Sequence, residues 1–170
     1  MHTSGHIDFT EAQRVRQPWL WILLVLLAAI AWYAFISQVI LGEPFGQNPA
    51  PDFVVWLLVL IIGVGMPLLF GCIRLVTAVD DCGIHVRFFP FKTRTFSFAD
   101  VKHCEPRRYR PLIEYGGWGW RWSPWRGWAY SISGKDGVQL ELTGCKRVLI
   151  GTQRPEDLAT AIKSRIEKRV

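Results

Sequence analysis

Charge is missing from two long stretches of this 170-residue chain. Residues 17–42 and 53–73 contain no Asp, Glu, Lys or Arg, although charged residues make up 20% of the whole sequence. The mean hydropathy is +0.17, which is high for a water-soluble protein. These properties exclude an ordinary soluble globular protein, and also an intrinsically disordered chain, which is rich in charge and poor in apolar residues.

The sequence also lacks the common motifs of catalytic sites. It contains no Gly-x-Ser-x-Gly nucleophile turn and no Gly-x-x-x-x-Gly-Lys-Ser/Thr phosphate loop. The closely spaced Gly116, Gly117 and Gly119 do not match the dinucleotide-binding pattern and indicate a bend or bulge instead. We therefore predict that the protein is not an enzyme, has no catalytic residues and needs no cofactor.

The sequence also lacks the usual spacing of metal ligands, because none of the four cysteines forms a Cys-x-x-Cys pair. A set drawn from Cys82, His85, His103 and Cys104 is the weak alternative, since the adjacent His103 and Cys104 would point to opposite faces of a strand. We expect reduced thiols and no metal site. The polar tail of residues 1–17 is expected to be disordered and cytoplasmic.

The two uncharged runs predict transmembrane helices over residues 18–41 and 53–74, joined by an external loop of residues 42–52. A helix of about 20 residues covers roughly 30 Å, the thickness of the hydrocarbon core. The first run is too long for the apolar part of a cleaved signal peptide. Trp19 and Trp56 lie near the ends of the runs, where indole rings prefer the membrane interface.

The basic residues beside these runs predict their orientation. Arg14 and Arg16 precede the first run and Arg74 follows the second, whereas the connecting loop contributes only the acidic Glu43 and Asp52. By the positive-inside rule, both termini are cytoplasmic and the protein is multi-pass. Neither run contains the ionisable residues that a transport path needs, so we do not predict a transporter.

The remaining segment, residues 75–170, contains 17 Lys and Arg against 10 Asp and Glu, and its apolar residues alternate with polar ones. This period of two predicts six or seven antiparallel strands in a sandwich or partly open barrel. Residues 155–170 carry an apolar stripe with acidic residues first and basic residues last, as in an amphipathic helix. We expect this helix to cover the strands; the alternative is that it lies on the membrane. No linker precedes residue 75, so we expect the β domain to lie against the cytoplasmic face of the membrane.

Four stretches of this segment resemble an uncharacterised branch of the bacterial pleckstrin-homology-like membrane proteins. The similar stretches are Tyr-Gly-Gly-Trp-Gly-Trp-Arg at 115–121, Gly-Trp-Ala-Tyr at 127–130, Gly-Val-Gln-Leu-Glu-Leu at 137–142 and Lys-Arg-Val-Leu-Ile-Gly-Thr-Gln-Arg-Pro-Glu-Asp-Leu at 146–158. The sequence departs from the pattern at Gly144-Cys145, where an Asp-Gly or Asn-Gly turn is expected. The resemblance implies an all-β pleckstrin-homology-like barrel with a C-terminal capping α-helix beside a membrane α-helical hairpin. It also implies a binding module of the inner (cytoplasmic) membrane, and no catalytic residues.

Residues 107–128 are unusual because they hold five of the nine tryptophans together with five arginines. We assign Trp128 to the core, since it shares a strand face with Tyr130 and Ile132. For the other indoles two interpretations stay open: they pack over one end of the β domain with Arg stacked on the rings, or they form a contact surface. Trp and Arg are enriched at binding hot spots. The candidate binding surface comprises Trp118, Trp120, Arg121, Trp122, Trp125, Arg126, Arg107, Arg108 and Arg110.

These observations lead to two functional hypotheses. The first is a membrane-anchored, non-catalytic interaction module at the cytoplasmic face, whose partners are the lipid bilayer, anionic lipid headgroups or a membrane protein. The alternative is a structural accessory subunit that packs into a larger membrane complex through its transmembrane helices. The sequence pI of about 9.4 would also suit nucleic acid, but a domain held at a membrane already has an anionic neighbour, so we predict no nucleic-acid binding.

Overall fold

The computed structural model describes residues 7–168 and divides them into two compact units. One unit is helical and comprises residues 16–72. The other is built mainly of strands and combines residues 7–15 with residues 73–168. The second unit is therefore discontinuous along the chain, since the helical unit is inserted into it.

The helical unit contains two long helices, α1 (Pro18–Ile40) and α2 (Asp52–Cys72). Both are long and apolar enough to cross a membrane, and most of their surface is not covered within the unit. Their bounds agree with the predicted runs to within two residues. Each ends or is interrupted by a π-helical stretch, Ile36–Ile40 in α1 and Val59–Gly65 in α2.

A small set of side chains joins the two helices. Ala31, Ala34 and Phe35 of α1 are buried with Val55 and Val59 of α2. Small residues such as alanine let two helix backbones approach closely, and the alanines of α1 lie at this contact. The connecting segment is held at its base by Gln38, whose amide donates to the Asp52 carboxylate at 2.8 Å and to a backbone carbonyl in the loop.

The first sheet is antiparallel in the order β1-β2-β3-β4. Its strands are β1 (Phe9–Arg14), β2 (Arg74–Val79), β3 (Ile84–Phe89) and β4 (Lys92–Phe96). In this sheet Arg14 pairs with Arg74, so β1 and β2 are neighbours although both long helices lie between them in sequence.

The presence of β1 overturns the prediction that the N-terminal tail is disordered. Phe9 and Gln13 are buried, and the Gln13 amide donates to the carbonyl of Gly151 at 2.9 Å. The Glu11 carboxylate accepts hydrogen bonds from the Thr152 hydroxyl and from the backbone N–H of Gln153. These long-range partners order a segment whose own sequence is mostly polar. The histidines of the tail, His2 and His6, lie outside the described residues.

The second sheet has the order β5-β8-β9-β7-β6. Its strands are β5 (Val101–Arg108), β6 (Gly119–Ser123), β7 (Gly127–Ser131), β8 (Asp136–Leu142) and β9 (Lys146–Gly151). Strands β5, β8 and β9 pair antiparallel, whereas the β6–β7 hairpin joins them through a parallel pairing of β7 with β9. The described residues thus form nine strands in two sheets, and not one closed barrel; β1 and β5 are the strands that the periodicity did not predict.

The C-terminal helix α4 (Pro155–Glu167) covers the core of this unit. Its buried residues Leu158, Ala159 and Ile162 pack into one cluster with apolar residues of both sheets, such as Leu75 and Leu140. The prediction that the amphipathic helix packs on the strands is confirmed. A short helix, α3 (Pro111–Tyr115), lies between β5 and β6.

Candidate functional site

The β6–β7 hairpin places four aromatic side chains on one face of the second sheet. Trp122 pairs directly with Trp128, and Trp120 pairs directly with Tyr130. Directly opposite residues share a face, so the four rings form a continuous aromatic surface. Trp118 precedes β6, and its indole N–H donates to the carbonyl of Gly134 at 2.9 Å.

The exposure of these rings changes sharply along the face. Tyr130 is 3% exposed because Phe96 of the first sheet packs against it at 6.4 Å between centroids. Trp128 is 39% exposed and Trp122 is 58% exposed. The assignment of Trp128 to the core is therefore wrong: it shares the face of Tyr130, but its ring contacts are with the partly exposed Trp120 and Trp122.

The partly exposed rings support one another. Trp120 stacks on Trp128 with centroids 5.4 Å apart and planes inclined by 19°. The ammonium group of Lys92, on β4, lies 4.5 Å from the Trp120 ring, a cation–π contact. These contacts fix the rings in place without burying them, so they remain available to a partner.

Trp125 lies at the tip of the hairpin and is 88% exposed. The turn is tight at Gly127, which has φ of 78°; a Cβ atom there would lie 2.1 Å from the carbonyl oxygen of Arg147. Only glycine fits this approach of the hairpin to β9. The backbone thus holds Trp125 outward at the end of a well-defined turn.

A groove of about 560 Å³ opens beside this tip. Trp122, Trp125 and Trp128 line it together with Lys102, Arg126, Lys146 and Arg147, and Glu141 is its one acidic lining residue. Lys102, Lys146, Arg147 and the exposed Trp128 were not among the predicted site residues. They come from β5, β7 and the β8–β9 hairpin, and no local pattern in the sequence brings them to the hairpin tip.

The predicted arginines do not form one uniform surface. Arg107 and Arg126 both bind the carboxylate of Glu114, with Arg126 at 3.0 Å, and Arg107 also donates to the side-chain oxygen of Gln139 at 3.2 Å. Glu114 also accepts the backbone N–H of Arg110 at 2.8 Å. Because Glu114 is mostly buried and joins β5, α3 and the hairpin turn, Arg107 and Arg126 act chiefly to hold these segments together.

The other predicted arginines have looser partners. Arg108 lies 3.9 Å from the carboxylate of Asp136 and is highly exposed. Arg121 donates to the carbonyl of Trp118 at 3.4 Å. Arg108 and Arg110 also line a cavity of about 380 Å³ with Lys135. These side chains carry positive charge at the surface and remain accessible to anions.

The residues considered for a metal site lie in different surroundings. Cys104 is buried in the apolar core, where burial raises the pKa of its thiol to about 11. Cys82 is exposed, and His103 lies 3.6 Å from Glu105. Across residues 7–168, no three His, Cys, Asp or Glu side chains are placed to hold a metal ion.

At the first sheet, three polar side chains, Asp80, His85 and Thr95, form a row of contacts that the sequence did not predict. The ring of His85 contacts the Thr95 hydroxyl at 3.0 Å through Nδ1 and the Asp80 carboxylate at 3.1 Å through Nε2. Burial alone would raise the pKa of Asp80, but hydrogen bonds from the Cys82 backbone and from His85 hold it below its usual value. Since Asp80 also accepts the backbone N–H groups of Cys82 and Gly83, this row stabilises the turn between β2 and β3.

Comparison with known proteins relates nearly the whole chain to one protein family. The family's sequence profile matches residues 2–168 and is described as a family of unknown function, DUF6141. No curated protein and no solved structure matches the chain.

Proposed function

Because the chain belongs to the DUF6141 family, whose function is unknown, its role must come from its own residues, and we propose that it is a membrane-anchored, non-catalytic interaction module. In this proposal α1 and α2 anchor the chain in the inner membrane, and the strand-rich unit presents a recognition surface in the cytoplasm. The observation that carries the proposal is the set of exposed indoles on the β6–β7 hairpin.

The length and composition of the two helices support the anchoring. Both exceed 20 residues and expose apolar side chains on all sides. Exposing so much apolar surface to water is unfavourable, whereas a lipid bilayer accommodates it. The flanking arginines support cytoplasmic termini. The pairing of Arg14 with Arg74 supports the same topology, because the start of α1 and the end of α2 connect to neighbouring strands.

The strand order supports the pleckstrin-homology-like arrangement that the sequence resemblance implies. Four antiparallel strands are followed by a second sheet and by a C-terminal helix that covers the core. We interpret the helical unit and the β6–β7 hairpin as insertions into this arrangement. Domains of this kind serve as binding modules, and fold alone does not identify the ligand.

The tip of the hairpin suits contact with the headgroups of an anionic membrane. Indole rings settle at the headgroup level, and each basic group near an anionic surface contributes about 1 kcal/mol to binding. Trp125 is the most exposed indole, and Lys102 and Lys146 line the groove beside it. A single residue, Ile73, connects α2 to β2, so no flexible linker separates the anchor from the strand-rich unit in this proposal.

The test uses the full chain, labelled with 5-fluorotryptophan and placed in lipid nanodiscs. Fluorine signals are assigned with Trp122→Phe and Trp125→Phe, and a spin label attached to a lipid headgroup reports proximity. We expect the Trp125 signal to broaden in phosphatidylglycerol discs, and less so in phosphatidylcholine discs or at high salt. The matched control is Trp118, whose indole N–H is already bound to Gly134.

Two results would count against the proposal. The surface does not contact headgroups if the fluorine signal of Trp125 stays sharp beside the lipid-attached spin label in both lipids but broadens with a water-soluble spin label. If reporter fusions place the segment between α1 and α2 in the cytoplasm, the anchoring topology is wrong. The accessory-subunit alternative would be favoured if another membrane protein co-purifies with the chain, and if this depends on side chains of α1 and α2 and not on the indoles.

A further inference from the structure

The long side of the β6–β7 hairpin presents an open strand edge, separate from the tip. Within residues 7–168, strand β6 is the last strand of the second sheet and β7 is its one partner strand. An edge strand carries a row of backbone N–H and C=O groups that point away from the sheet and can pair with another strand. Natural proteins usually shield such an edge with proline, a bulge or a covering element, and β6 (Gly-Trp-Arg-Trp-Ser) contains no proline.

A second edge strand contacts the hairpin through its side chains. Strand β4 is the last strand of the first sheet, and its residues Lys92 and Phe96 contact Trp120 and Tyr130 of the second sheet. Arg94 of β4 also lies against Tyr130, opposing the rise that burial causes in the tyrosine pKa. Side chains of β4 and of the β6–β7 hairpin therefore meet along one seam of the strand-rich unit.

The charged side chains that β4 and β6 contribute to this seam are all basic. Lys92 and Arg94 come from β4 and Arg121 from β6, and neither strand contains an acidic residue. This charge repels a second copy of the same edge, which would bring the same cations opposite one another. It attracts an acidic strand. The side chains of Trp120 and Trp122 lie on one face of β6 and Arg121 lies on the other, so an added strand would meet indoles on one face and a cation on the other.

We propose that the β6 edge binds an extended acidic segment of a partner protein as an additional β-strand. Backbone hydrogen bonds to β6 supply general affinity, and the side chains supply selection. Apolar side chains of the segment pack on Trp120 and Trp122, and acidic side chains on its other face pair with Arg121. Lys92 and Arg94 add attraction from across the seam. This inference rests on the proposed function, because it names the partner of an interaction module.

The experiment measures binding of a synthetic peptide to the full chain in phosphatidylcholine nanodiscs. The probe is acetyl-Glu-Val-Glu-Val-Glu-Val-Glu-amide, which alternates acidic and β-branched residues. Two variants carry N-methyl groups, one on the valines and one on the inner glutamates. A strand pairs with an edge through alternate residues, so one N-methylated peptide must bind at least tenfold more weakly while the other keeps its affinity. We also expect the 5-fluorotryptophan signal of Trp120 to shift.

Charge reversal on the protein provides the second arm. Arg94→Glu combined with Arg121→Glu should weaken the acidic peptide at least tenfold and strengthen binding of the peptide with Lys in place of Glu. Lys163→Glu is the control, because Lys163 is an exposed cation of α4 that belongs neither to the edge strands nor to the candidate binding surface. Unchanged thermal unfolding of each variant shows that the fold is intact.

Three outcomes overturn this inference: no binding at millimolar peptide, equal loss or no loss with both N-methylated peptides, or equal binding of the Lys peptide. Complete displacement of the acidic peptide by phosphatidylglycerol vesicles would assign the seam to lipid and would also overturn it. The proposed function fails separately. If peptide binding follows the expected pattern while Trp125 stays remote from headgroups, only the headgroup contact is wrong; if Trp125 contacts headgroups and no peptide binds, only the added strand is wrong.

Discussion

The helical unit and the strand-rich unit use apolar residues in opposite ways. In the strand-rich unit, apolar residues alternate with polar ones and collect in one core that includes both sheets and α4. In the helical unit, apolar residues cover every face of α1 and α2, and only five of them form a buried cluster. The difference shows that the period of the apolar pattern reports the surroundings of a segment, whereas apolar content alone does not.

The largest effect is expected where a charge enters the strand-rich core. Ile162 lies on the buried face of α4 and is fully buried, so Ile162→Asp should destabilise the strand-rich unit by about 4 kcal/mol or more. The readout is labelling of the buried Cys104 thiol, located by mass spectrometry, during chemical unfolding of the full chain. Thr160→Asp, at an exposed position of the same helix, is the control. Ile30→Ala on the uncovered face of α1 should leave Cys104 labelling unchanged. Equal labelling in Ile162→Asp and wild type would show that α4 does not cover the core.

A smaller effect tests whether β1 belongs to the strand-rich unit although it precedes both helices. Phe9 is buried in the shared core and its ring lies under the Arg154 guanidinium at 4.8 Å. Phe9→Ala should cost about 3 kcal/mol, since it removes an aromatic ring and leaves a cavity. Ile7→Ala, at an exposed position just before β1, is the control and should cost less than about 0.5 kcal/mol. If the two variants unfold alike, β1 is dispensable and the strand-rich unit is continuous after all.

The smallest effect concerns one residue of the turn between β8 and β9. Within residues 7–168, Cys145 is the one non-glycine residue with a left-handed backbone, at φ of 57°. This conformation costs a side-chain-bearing residue about 1 kcal/mol, which glycine does not lose. Cys145→Gly should therefore stabilise the strand-rich unit by roughly 0.5–1 kcal/mol in urea unfolding. Cys145→Ala removes the thiol and keeps the strain, so it should give no gain; a gain of equal size would mean that the thiol, not the backbone, is unfavourable.

Elements with clear periodicity were predicted from sequence, and elements that depend on distant partners were not. Strands β3 and β8, both long helices and α4 follow from their own residues. Strand β1 was missed because its buried Gln13 is polar, and its amide finds acceptors only in the folded chain, at the Gly151 carbonyl and the Glu11 carboxylate. Strand β5 was missed because Pro106 interrupts it and few of its residues are apolar.

The candidate site shows the same limit. The predicted indoles and arginines lie on or beside the β6–β7 hairpin, but their roles depend on what covers them. Trp128 is 39% exposed although it shares the face of the buried Tyr130, and Arg107 and Arg126 share the single carboxylate of Glu114, which is separated from each of them in sequence. Coverage and ion pairing are properties of the folded chain, and a single sequence pattern does not carry them.

The pairing of β1 with β2 has a consequence for how the chain is made. Strand β1 leaves the ribosome first and has no partner until both helices and β2 have been synthesised. If α1 and α2 anchor the chain as proposed, a chain in which only one helix entered the membrane would hold β1 and β2 on opposite sides of the bilayer, and the first sheet would not form. Under that proposal, formation of this sheet would act as a checkpoint during biosynthesis, because it would succeed only when both helices had been inserted.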